Sequence, residues 1–94
     1  PERLPPDFLD TIGVIYAKLN RADLYPEMRA TFDAAATRYP TDPRMHLYRG
    51  HALAAVGERS KALESYDAAV RLAAGEKHKG VAATADAARK KLRN

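Results

Sequence analysis

The sequence predicts an all-α fold, on three observations. Apolar residues recur at helical spacing, most clearly at Ala62, Leu63, Tyr66, Ala69, Val70 and Ala73, whose offsets of 0, 1, 4, 7, 8 and 11 share one helix face. Prolines stand where helices would begin, at Pro5-Pro6-Asp7, Tyr25-Pro26-Glu27 and Asp42-Pro43. A first-turn proline gives up only an N–H that the helix does not use. No stretch alternates with period two for long, and no Asn-Gly or Asp-Gly hairpin turn occurs.

Five helices follow, over about 6–20, 26–38, 43–56, 59–74 and 77–92. The first opens at Pro6 and carries Leu9, Ile12, Gly13 and Tyr16. Asn20 is a natural end for it, because asparagine tolerates the left-handed conformation that terminates helices. The second opens at Pro26 and is closed by Tyr39-Pro40. The third begins with Asp42 as N-cap and Pro43 in the first turn, and Gly57 ends it. Ser60 is the expected cap of the fourth. GEKHKG, Gly75 to Gly80, reads as a turn; a phosphate loop would need a Gly-Lys-Ser/Thr ending and a preceding strand. The last helix places Val81, Ala85, Ala88 and Leu92 at offsets 0, 4, 7 and 11, a stripe that must be buried. The short loops predict antiparallel packing of successive helices.

The chain also contains a repeat. Shifted by 37, Pro6 meets Pro43, Gly13 meets Gly50, Ala17 meets Ala54 and Asn20 meets Gly57. Shifted by 34, Phe32 meets Tyr66 and Ala35 meets Ala69, so an insertion of three residues near 22–25 reconciles the two registers. Gly50, Leu53, Gly57, Ala62, Tyr66 and Ala69 fall where the tetratricopeptide repeat has its small, large and aromatic positions, and the chain resembles that family over about 6–76. His46, Arg49, Met28 and Ala74 depart from the pattern.

The resemblance implies one domain over 1–94, a short right-handed α-solenoid of antiparallel helix pairs: repeat 1 about 6–42, repeat 2 about 43–76, and a capping helix about 77–92. A glycine inside a helix costs about 0.5–1 kcal/mol against alanine, so Gly13 and Gly50 need a return. The expected return is close helix packing, with a ring such as Phe32 or Tyr66 in the gap each leaves.

Composition narrows the function. The 94 residues suit one small domain, with 46% apolar and 30% charged residues. No apolar run approaches the roughly 18 residues of a membrane helix, and no signal-peptide pattern opens the chain. It starts at Pro1, so the expectation is a piece of a longer protein, whose targeting this sequence does not reveal. Without cysteine there are no disulfides, thiolate metal sites or cysteine nucleophiles, and no compartment is selected; the cytoplasm is the default expectation. The alanine- and arginine-rich composition suits a GC-rich bacterial source.

The formal charge of +4 is uneven: residues 1–42 carry five basic and seven acidic groups, residues 77–94 six basic and one acidic.

Catalytic constellations are missing from the sequence. His46 and His51 are five residues apart and do not share a helix face as metal ligands would. Ser60 and Ser65 lack a nucleophile-elbow context, and the carboxylates are scattered. No enzyme activity, metal or cofactor is therefore expected.

The resemblance implies instead a concave groove, lined by Asp7, Asp10, Thr11, Val14 and Lys18 from the first helix and Arg44, Leu47, Tyr48, His51 and Ala55 from the third. Asp10 and Val14 stand where some relatives carry a Lys and Asn carboxylate clamp, so a C-terminal carboxylate is not the expected ligand. The expected function is non-catalytic protein–protein interaction, as a scaffold or adaptor holding a peptide or helix at about micromolar strength, near −8 kcal/mol. The alternative is an assembly module that meets its own copy or another part of a larger protein. A third reading, nucleic acid or an anionic surface on the basic last helix, lacks the interleaved aromatics that stack on bases.

Overall fold

The computed structural model describes residues 4–94; residues 1–3 of the expected domain lie outside the described residues. Five α-helices follow in order: α1 (Pro6–Leu19), α2 (Tyr25–Arg38), α3 (Pro43–Ala55), α4 (Arg59–Leu72) and α5 (Lys79–Arg93). Short 3-10 turns, Ala22–Leu24 and Glu76–His78, precede α2 and α5. Among the described residues there is no strand, and no helix is long and apolar enough to cross a membrane.

Most helix ends obey their local chemistry. Asp42 caps α3 by accepting the N–H of Arg44 at 3.0 Å. Asn20 takes a left-handed φ of 46° just after α1, and Gly57 a φ of 87° just after α3. Tyr39 ends α2 before Pro40. Ser60 departs from expectation: Glu58 occupies the N-cap position of α4, its carbonyl already accepting from Ala62 N at 2.9 Å, so Ser60 lies within the first turn. The final α-helix begins at Lys79 and not at 77, because Glu76–His78 winds more tightly as a turn of its own after Gly75.

The helices bury two apolar clusters that meet at α3. Leu9, Met28, Phe32, Ala35, Met45 and Ala52 gather where α1, α2 and α3 converge. Leu47, Leu53, Ala62, Tyr66, Ala69 and Ala85 gather among α3, α4 and α5. α3 therefore has apolar residues on two sides and takes the centre of the bundle. A large apolar side chain buried in either cluster contributes about 1.5–3 kcal/mol. α3 and α4 form the closest pair; α1 rests more lightly on α2 and α3.

The glycines explain where helices come closest. A Cβ at Gly50 would stand 2.7 Å from the ring of Tyr66, and a Cβ at Gly13 would stand 2.5 Å from the ring of Tyr48. Both glycines admit an aromatic ring against the helix backbone, as the repeat predicts, and Tyr66 is the ring expected at Gly50. The ring at Gly13 differs from the expected Phe32. It comes from α3, while Phe32 packs on that same Tyr48 ring with centroids 5.2 Å apart. The inserted turn Ala22–Leu24 lengthens the path from α1 to α2, and α1 draws its ring from α3.

Candidate protein-interaction surface

α1 and α3 run side by side in the same direction, and their contacts advance in step. Arg44 Nη1 donates to Asp7 Oδ1 at 2.9 Å, the Tyr48 hydroxyl donates to Asp10 Oδ1 at 2.7 Å, and the Tyr48 ring covers Gly13. Along the sequence the same interval of 37 residues pairs Val14 with His51 and Lys18 with Ala55. The residues expected in the groove thus do lie along neighbouring helices, but they divide into three sets.

The first set is held by its own neighbours. Arg44 donates to Asp42 through Nε at 3.0 Å and Nη2 at 2.8 Å as well as to Asp7, and its guanidinium pKa is raised, chiefly by the Asp42 carboxylate. Asp42 is pulled the other way: burial alone would raise its carboxyl, but the hydrogen bonds and charge of Arg44 outweigh that and hold it below the usual carboxylate range. Arg44, Asp7 and Asp10 form a polar seam that ties α1 to α3.

The second set is core. Leu47 is 6% exposed and Tyr48 is 8% exposed. Leu47 belongs to the cluster that includes Ala85 of α5, while the Tyr48 ring is pinned between Gly13 and Phe32. Burial, and then Asp10, raise the Tyr48 hydroxyl pKa. Neither side chain lies open to a partner, because α5 and α1 already cover them.

The third set is available. Thr11, Val14, Lys18 and Ala55 are exposed, and His51 is half-buried between them and the core. His51 Nδ1 lies 2.7 Å from the Tyr66 hydroxyl, with the two rings edge to face at 5.4 Å. Burial lowers the His51 pKa from its ordinary value and pushes the Tyr66 hydroxyl up to about 12. Both shifts favour the uncharged forms of the pair.

A second feature was not singled out by the groove pattern. α1 leaves Phe8 53%, Val14 39%, Ile15 51% and Leu19 50% exposed. Beside the start of α1, Leu4, Leu9, Thr31, Ala34 and Tyr39 line a cavity of about 240 Å³. The signal for this surface is in the sequence: α1 is apolar at Phe8, Leu9, Ile12, Val14, Ile15, Tyr16 and Leu19, more than the one stripe a single buried face requires.

The basic last helix spends part of its charge internally. Arg89 bridges Asp67 at 2.9 Å and Asp86 at 2.8 Å, Lys90 meets Asp86 at 3.0 Å, and Arg93 meets Asp67 at 3.5 Å. Among the described residues no group of three histidine or acidic side chains is placed to hold a metal ion. Comparison with protein-family models, with curated proteins and with solved structures gave no match to this chain.

Proposed function

We propose that this chain is a non-catalytic protein–protein interaction module of the tetratricopeptide type, a scaffold or adaptor that receives a helix or extended segment of a partner protein. One observation carries the reading: a single helix, α1, keeps four large apolar side chains in contact with water. A chain of this size gains by burying such residues, and an apolar patch left on one helix marks a surface that another protein covers. The two helix glycines, which recur at an interval of 37 residues, support the family in part: Gly50 lies under a ring of the following helix as the pattern has it, whereas the ring over Gly13 comes from α3.

Within this reading the partner lies along α1 and α3, against the exposed Thr11, Val14, Lys18 and Ala55 and the half-buried His51. Leu47 and Tyr48 support the groove from beneath and do not touch the partner. Affinity capture from extract, with chemical cross-linking, tests the reading with the native chain, a Val14→Glu/Ala55→Glu variant and an Ile15→Glu variant. All three positions are exposed, so helicity by circular dichroism is expected to be unchanged. A specific partner captured by the native chain and lost with the first variant places it in the groove; loss with Ile15→Glu alone places it on the outer stripe of α1. A capture profile identical for all three chains refutes the module.

A further inference from the structure

Phe8, Ile12, Ile15 and Leu19 are spaced four, three and four residues apart. At 3.6 residues per turn they fall within roughly 60° of arc, a continuous ridge along the outer side of α1. Phe8, Ile15 and Leu19 are exposed and Ile12 is half-buried. Val14 turns from this ridge toward the groove, so the ridge is a separate surface.

The chemistry of the ridge selects its cover. α5 of a second copy fits poorly, because its outward positions Lys79, Lys90 and Lys91 are exposed cations and it contributes no large exposed apolar side chain. α1 of a second copy fits well. The four-three-four spacing reads the same from either end, so two antiparallel α1 helices set Phe8 opposite Leu19 and Ile12 opposite Ile15. Asp7 and Lys18 lie on one flank of the ridge, separated by roughly 20° of arc. In the antiparallel arrangement the same flank of both copies lies on one side, so each Lys18 faces Asp7 of the second copy, twice by symmetry; in a parallel one the two flanks lie on opposite sides and the pairs do not form. Asp7 remains open to this contact: its side chain is 94% exposed although Oδ1 accepts from Arg44.

We propose that the chain forms a two-fold homodimer through antiparallel α1 helices, with Phe8, Ile12, Ile15 and Leu19 as the ridge and Lys18–Asp7 pairs at its flanks. This rests on reading α1 as an interaction surface. The contact is isologous and closes at two copies.

Sedimentation equilibrium of the 94-residue chain across micromolar to millimolar concentration tests it. A monomer–dimer equilibrium is expected. Ile15→Glu should weaken it by about 100-fold or more, since it removes an apolar side chain from both copies and leaves two carboxylates facing the ridge. Lys18→Asp should weaken it about 3- to 10-fold, and adding Asp7→Lys to the same chain should recover part of the loss, because the pairs are then reversed while Arg44, which loses Asp7, keeps Asp42. A strict monomer, a dimer indifferent to Ile15→Glu, or oligomers that grow past two would each overturn the proposal. A strict monomer that still captures a partner through Ile15 or Val14 removes the homodimer and leaves the module standing; a strict monomer that captures none removes both.

Discussion

The two terminal helices started from similar material and ended differently. α5 has one narrow apolar stripe, and the fold uses it: Ala85 is fully buried, Val81, Ala88 and Leu92 pack against the same cluster, and the outward side is basic. α1 has a wider apolar surface, of which the fold uses one side only: Leu9 and Gly13 are buried, while Phe8, Ile15 and Leu19 remain half exposed. The difference teaches that one end of this molecule is finished and the other is not. Width of the apolar arc decides this, since a helix touching neighbours on one side can bury only about a third to a half of its circumference.

The largest expected effect sharpens that contrast. Ala85→Glu should cost on the order of 3 kcal/mol or more, because it forces a charge and four extra heavy atoms into a filled site, whereas Ile15→Glu should change stability by about 0.5 kcal/mol or less. Urea unfolding of the two variants gives the comparison directly, and equal costs would show that α1 is as sealed as α5.

Next in size are the two glycines. Gly13→Ala and Gly50→Ala should each lose about 1–3 kcal/mol by overpacking, although alanine gains up to about 1 kcal/mol of helix propensity. Gly13→Ala is the more costly of the two, since the atoms it meets include Tyr48 Cγ, close to the backbone, while those at Gly50 lie farther out on the Tyr66 ring. A stabilised alanine variant at either site, by thermal or urea unfolding, would mean that the ring swings away freely.

Tyr48→Phe should cost about 0.5–1.5 kcal/mol through the lost bond to Asp10, with the ring still seated on Gly13. If unfolding of this variant matched the native chain, the seam between α1 and α3 would owe nothing to that bond.

The smallest effect is a pH dependence. The folded pKa of His51 is depressed below its ordinary 6.5 by burial. The unfolded chain therefore binds this proton more readily than the folded one, and stability rises with pH in that range. The contribution is fully present above about 6.5 and is lost as pH falls through the depressed folded value. His51→Gln should flatten that part of the stability profile; a profile with the same slope as the native chain would assign the dependence elsewhere.

Much of the fold was legible in the sequence because it follows from local chemistry. Pro6, Pro26 and Pro43 open helices through their fixed φ and missing N–H, and Asn20 and Gly57 end them through tolerance of positive φ. Ser60 was misleading because a serine can cap only if the chain leaves the helix there, and the carbonyl of Glu58 had already begun the ladder. The candidate surface was legible in part. The repeat interval of 37 placed α1 and α3 residues in register, yet it could not separate Val14, which is open, from Leu47 and Tyr48, which are not. That separation depends on where α5 and α1 land.

Periodicity, prolines and glycines, read from the chain alone, determined that this is an all-α protein of five helices with two glycines set under rings. Which ring covers Gly13, which groove residues are spent on one another, and that α1 keeps an apolar ridge in water were decided only in three dimensions. Helix formation depends on neighbours within four residues, whereas the burial of a side chain depends on what a distant segment brings to it, and spacing along the chain carries no record of that.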